Sequence, residues 1–373
     1  MRRGSPSDRV LAFDLARGLA VFFMILIHVM RHWGEPATWT TPIGVLASFL
    51  GGPPAAPVFM FLMGASVAFS RRSTFRSLAM RGLGLFVLAY VFNLFRGALP
   101  LTFGLATGVV TSAEVAPHTP GSLLTMVDIL QLAGLSLIGI AALRRFVRPG
   151  PIWLVLAVGI VLVAPVLRGF TVGDPVVDGF LSVLWGADSH VYYPVFPWAV
   201  FPLVGAVVGE WMVRAPDRSA LLGRLGLVGV GLCAVGVALV AAWVPDLSDT
   251  TYWHLPPALA LAILGFVLVW LAVCDQVVRR MPRARVLDVV HGWSARVQSM
   301  YITHWIIVGW GVGIVGFQRL GLVPVLVAMG IVVVLTSLLT MAYPVIATRA
   351  GLRPFGPSMS APGAALAPSD AEA

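Results

Sequence analysis

The sequence contains no lysine and only two cysteines, Cys233 and Cys274, both inside apolar runs. Two such thiols supply neither a disulfide framework nor a metal cluster. Charge is scarce as well: 11% of residues are charged, against about 25% in soluble domains. With 58% hydrophobic residues, that scarcity excludes an ordinary soluble fold and predicts a polytopic membrane protein. No polar stretch is long enough for a second, soluble domain. Neither an internal repeat nor a pair of matching halves, as in inverted-repeat transporters, is visible. Arg2 and Arg3 precede the first apolar run as they would in an export signal, yet Arg31, His32 and Trp33 follow it where a small-residue cleavage site would stand. An uncleaved first span is expected.

Arginine takes the place of lysine, and it outnumbers the acids enough to give a formal charge of +9. Such a charge raises a nucleic-acid partner, and its distribution removes one. Apolar runs long enough to span lie near 10–30, 56–70, 79–99, 122–143, 151–167, 194–213, 225–244, 256–275, 297–317 and 323–347. If the N-terminus is cytoplasmic, 20 arginines fall in inner segments, Arg31, Arg96, Arg168 and Arg319 fall outside, and Arg17 lies in the membrane. The positive-inside rule then predicts an all-α protein of about ten transmembrane helices with both termini cytoplasmic, in a cytoplasmic (inner) membrane. Residues 1–9 form a cytoplasmic N-terminus, 10–347 the membrane domain, and 348–373 a cytoplasmic tail expected to be disordered from its Pro, Ala, Ser and Gly content.

The first span, from Asp14 to His32, carries more than an anchor needs. Arg17 and His28 are eleven residues apart, about three helical turns with a drift of about 20°, so both look out of one face. Asp14 precedes Arg17 by three residues and can pair with its guanidinium. The rise between Arg17 and His28 is about 16 Å, half of a bilayer core. Two readings stand: Arg17 snorkels while His28 sits at the opposite interface, or three ionisable groups on one face mark a functional site.

Other polar residues fall within the spans. Asn93 and Arg96 come near the outer level of the third, and Asp128 and Gln131 lie in the outer half of the fourth, near the expected depth of His28. A carboxylate there needs a partner. Asp128 either orients His28 as a base, or caps its own helix, or pairs with Arg96. His304 falls about seven residues into the ninth span, at an expected depth matching Arg17; it is a donor-side candidate or a buried, hydrogen-bonded histidine. Glu210 and Arg214 form a local helical pair. The segment from His190 to Trp198, with Tyr193 and two prolines, reads first as an aromatic belt.

A span that opens with Asp14, two residues, Arg17-Gly18, and then ten residues from the Arg to His28 resembles the first span of the transmembrane acyltransferases. That superfamily includes the bacterial acyltransferase family three and the relatives of heparan-alpha-glucosaminide N-acetyltransferase. Pro57-Val-Phe-Met-Phe-Leu-Met-Gly-Ala-Ser66, Phe196-Pro197-Trp198, Leu130-Gln131 and Ser299-Met-Tyr-Ile-Thr-His304 resemble further segments of those proteins. The resemblance implies a membrane acyltransferase that moves an acyl group, most simply acetyl, from cytoplasmic acetyl-CoA as cosubstrate to a hydroxyl or amine of a sugar or envelope glycan, with no metal. The expected placement of the residues then makes His28 the base or acyl carrier with Asp128 in support, and sets Arg17, Asp14 and His304 on the donor side. His32, Arg96, Gln131, Tyr193 and Trp198 fall on the acceptor side. Some heparan-type relatives place the reactive histidine after the first span, which keeps His32 as the alternative; the ten-residue spacing selects His28. The lipid bilayer, the donor and the acceptor are the expected partners, and a homodimer stays open. The rival class is a transporter or flippase with the same polar residues along its path.

Overall fold

Hydrocarbon offers no partner for free backbone N–H and C=O groups, and a helix satisfies them within one segment. Helices accordingly stand at all ten apolar positions: α1 (Leu11–Trp33), α2 (Ala56–Phe69), α3 (Phe75–Ala106), α4 (Ile129–Phe146), α5 (Pro151–Leu167), α6 (Val200–Arg214), α7 (Arg218–Trp243), α8 (Pro257–Arg280), α9 (Val297–Val315) and α10 (Leu322–Arg349). Among the described residues eight helical stretches are long and apolar enough to cross a membrane, α2 and α6 only together with the short helices before them, as Pro42–Phe69 and Val195–Arg214. Neither α5, with 17 residues, nor α9, whose first half carries Gln298, Tyr301, Thr303 and His304, is among them. The computed structural model describes residues 10–70, 74–244, 246–281 and 284–349; the expectations for residues 1–9 and for the tail from 350 onward lie outside them. Among the described residues no strand forms.

Several boundaries differ from the sequence reading, and two of the differences bear on the site. The run near 122–143 begins as a short helix, Pro120–Leu124, breaks, and restarts at Ile129, because Asp128 turns back to cap α4. Its carboxylate accepts the Ile129 N–H at 2.7 Å while Gln131 Oε1 accepts the Asp128 N–H at 3.0 Å, a reciprocal capping box. The second span is preceded by a helix, Pro42–Gly51, that packs on α1.

The third span is broken in its middle by a π-helical turn, Leu94–Ala98, in which the Leu99 N–H reaches back to the Leu94 carbonyl. Pro100 explains it. A proline has no N–H to give the carbonyl four residues earlier and its ring pushes that carbonyl away, so the chain widens by one residue where Arg96 sits.

Helix α1 is the hub. It contacts α2, α8, α9, α10, the helix Pro42–Gly51 and a further helix, Arg285–Ala295. Around it the bundle is closed by glycines that let backbones touch, the usual device where lipid gives helices no hydrophobic drive to associate. A Cβ on Gly64 of α2 would strike the Pro202 carbonyl of α6, and one on Gly309 of α9 would strike the Arg96 carbonyl. The second contact sets α9 against the π turn and places one wall of the site.

Candidate active site

A cavity of about 450 Å³ opens at the end of the bundle where α1 finishes. His28, His32 and Arg31 of α1, Arg96 of α3, Asp128, Tyr192, Tyr193 and Trp305 line it. Aromatic side chains with few charges form its walls, the usual make-up of a small-molecule site.

The histidines are ordered by one carbonyl. His304 Nδ1 lies 2.9 Å from the Met300 carbonyl oxygen, which can only accept, so this nitrogen carries the proton. His304 Nε2 is therefore an acceptor, and it lies 3.1 Å from His28 Nδ1, which must donate. His28 Nε2 is left with its lone pair free. His32 is fixed in the same sense, its Nδ1 donating to the His28 carbonyl at 2.9 Å. Both imidazoles thus offer a basic Nε2 in the cavity region. Trp305 lies against His28, ring centres 4.0 Å apart.

The position of His304 corrects the sequence reading, which set it on the donor side at the depth of Arg17. Its ring lies parallel to that of His28, edge to edge through the Nδ1–Nε2 hydrogen bond, with centres 5.3 Å apart. The error came from counting from the bundle surface. The helix Arg285–Ala295 already runs along α1 by one face, with Val290 against Gly18 and Trp293 stacked on Phe22, so α9 starts at the level of Phe22. About six residues of rise, some 9 Å, then separate Phe22 from His28, and His304 has a matching distance to climb.

Asp128 also departs from its expected role. Its carboxylate is not bonded to His28; Oδ2 lies 2.6 Å from Arg96 Nη2 and accepts the Tyr301 hydroxyl at 3.2 Å, while Oδ1 caps α4. The two alternatives, helix cap and Arg96 partner, both hold at once. Asn93 completes the group: its Oδ1 accepts from Arg96 Nε and Nη2, and its Nδ2 donates to the Leu124 and Met126 carbonyls. Gln131 is fully buried and ties Met126 to the start of α4; it positions this loop and does not line the cavity.

Tyr193 lines the cavity, but Trp198 stands behind it, fully buried, with its indole N–H on the Trp253 carbonyl and its ring 4.7 Å from that of Tyr193. The acceptor-side expectation for Trp198 is corrected to a support for Tyr193. In the adjoining loop Tyr192 lies 3.4 Å from His118 Nε2. Burial, then Asp128, pushes the Tyr192 phenol up to about 12, and burial with His190 lowers His118. The pair is neutral at physiological pH, with the phenol as donor. At the rim Arg31 meets Asp249 at 3.1 Å and lies over Trp39.

Asp14 and Arg17 stand at the other end of α1, away from this cavity. Arg17 Nη2 donates to Ser66 at 2.8 Å, its Nη1 is 3.5 Å from Asp14, and Ser294 donates to Asp14 at 3.1 Å. The sequence reading set these two on the helix face that carries His28, about three turns before it, and paired them with each other; they meet at 3.5 Å. It gave no role to Tyr301, Trp305 or Arg31, and it set Asn93 beside Arg96 without pairing them. Tyr301 precedes His304 by three residues and Asn93 precedes Arg96 by three, which puts each on its neighbour's face; nothing local marks Trp305 or Arg31. Among the described residues no group of three or more His, Cys, Asp or Glu is placed to hold a metal ion.

The catalytic model of the heparan-alpha-glucosaminide N-acetyltransferase family matches residues 9–240. The match covers α1 to most of α7 and stops before the helix that supplies Tyr301, His304 and Trp305. No curated protein matches the chain.

Proposed function

The chain belongs to the heparan-alpha-glucosaminide N-acetyltransferase catalytic family, and we propose on that premise that it moves an acetyl group from acetyl-CoA to a hydroxyl or amine of a sugar or envelope glycan. It is a multi-pass membrane acetyltransferase; donor, acceptor and sidedness are our reading. The arginine distribution puts the Arg17 end in the cytoplasm, where the donor is. Arg17 is held by Ser66 and Asp14 and is 21% exposed, which suits a guanidinium that binds phosphate or a pantetheine amide. His28 lies on the same helix face, about 16 Å further along, in the aromatic cavity.

One observation carries the assignment of the base: the Met300 carbonyl fixes His304, which fixes His28 with Nε2 unprotonated. That nitrogen takes the proton from the attacking hydroxyl or amine, and the imidazolium is then the acid for the departing thiolate. His304 acts through His28 and is a positioning residue.

Purified protein supplied with labelled acetyl-CoA and a panel of amino and neutral sugars tests this. Transfer is expected for wild type and a loss of about 10² to 10⁴ for His28→Ala, with insertion and CoA binding kept. If only His32→Ala loses activity, the reactive base is His32. A protein that moves labelled sugar across vesicles without consuming acetyl-CoA returns the chain to the transporter class.

A further inference from the structure

The buried donors of the cavity are not all used. Arg96 is 5% exposed and its guanidinium is tightly held: Nη2 by Asp128 and Asn93, Nε by Asn93. Its Nη1, among the described residues, has no hydrogen-bond partner. Tyr252, another wall of the same cavity, also has a buried hydroxyl without one. A buried donor left unpaired is costly, and in a native chain a water or a ligand supplies the acceptor. The guanidinium lies 4.5 Å over the Trp305 ring, the ring against which His28 packs at 4.0 Å. A fixed cation and a free base thus share one indole.

We infer that Arg96 is the oxyanion-stabilising residue of the transfer, receiving the acyl carbonyl oxygen as it gains charge; this rests on the acetyl-transfer reading above. The chemistry of the pair selects a carbonyl over a carboxylate. Asp128 already balances Arg96 at 2.6 Å, so a ligand that arrives as a full anion meets the Asp128 charge. A thioester carbonyl arrives neutral and becomes negative only as the bond forms. The acceptor oxygen or nitrogen attacks the carbonyl carbon while His28 Nε2 takes its proton, and the C=O π pair moves onto oxygen beside Arg96. The pair then returns, C=O re-forms, the C–S bond breaks, and the thiolate leaves with the proton from His28. Asp128 and Asn93 hold the guanidinium in place before the charge appears, and such preorganised donors in a dry site give the largest electrostatic gain.

The test uses the full-length protein with acetyl-CoA and whichever sugar wild type acetylates. Arg96→Lys keeps the charge opposite Asp128 but loses the planar fork. Should it fail to fold, Arg96→Gln with Asp128→Asn leaves a neutral, hydrogen-bonded pair. Either variant is expected to lose about 10² to 10³ in kcat, with KM for both substrates and calorimetric affinity for CoA near those of the reference; melting temperature stays near wild type for Arg96→Lys and rises above the reference for the double variant, whose buried pair is neutral. For the double variant the reference is Asp128→Asn alone. Loss confined to acceptor KM would assign Arg96 to ground-state binding and overturn the proposal, as would an unchanged kcat. Wild-type protein that transfers nothing overturns the acetyltransferase reading and this one together; wild-type transfer with an intact kcat in the variant overturns only this one.

Discussion

Removing the Asp128 carboxylate while Arg96 stays is the most informative single perturbation of stability. The two side chains are 9% and 4% exposed and meet at 2.6 Å, so Asp128→Ala leaves a guanidinium buried without its counter-charge. Breaking such a pair from one side costs about 3–5 kcal/mol. The same residue caps α4, and losing a cap to Ala costs about 0.5–2 kcal/mol. Both losses fall on one carboxylate and do not simply add, so a destabilisation of about 4–5 kcal/mol is expected. Asp128→Asn keeps an oxygen for the cap and is expected to lose about 1 kcal/mol less. Replacing both partners, Arg96→Met with Asp128→Leu, is expected to recover most of the loss, since an apolar pair leaves nothing buried and charged. Unfolding followed by tryptophan fluorescence in detergent, with SDS as denaturant, measures all four proteins. An Asp128→Ala protein within about 1 kcal/mol of wild type, the upper range of exposed pairs, would refute the reasoning. So would a double variant no more stable than the single one.

Gly309→Ala drives a methyl into the Arg96 carbonyl and is expected to cost about 1–3 kcal/mol by overpacking. Gly84→Ala, which meets nothing within 4 Å, is the control and stabilises slightly through helix propensity; equal melting temperatures for the two would contradict the packing. Arg17→Lys is expected to weaken CoA binding with little change in stability, because the bond to Ser66 and the planar fork are lost while charge stays; unchanged affinity in calorimetry would leave Arg17 a snorkelling anchor. Reporter fusions after residues 75, 147 and 290 are all expected to read cytoplasmic, and a periplasmic signal at any of them would invert the sidedness assigned to donor and acceptor.

The sequence by itself determined whatever depends on neighbours along one helix. Composition made the membrane helices, and the spacing of Asp14, Arg17 and His28 put three ionisable groups on one face of α1. The family resemblance was already legible in that span, within the residues 9–240 that the family model matches. A cap of its own helix was one of the roles open to Asp128 from the sequence, and Gln131, three residues on, completes the box. The tertiary structure decided what pairs with what across helices. His28 and His304 stand 276 residues apart in the chain, and the depth of each depends on where its helix enters the bundle. Because Arg285–Ala295 packs along α1 at Gly18, α9 starts deep and His304 meets His28 rather than Arg17. Asp128 likewise had three chemically reasonable partners; the π turn at Leu94–Ala98 and the close approach of Gly309 brought Arg96 to it. Periodicity fixes a residue's face along its own helix, but the offset and crossing of two helices follow from side chains that meet only when the bundle packs.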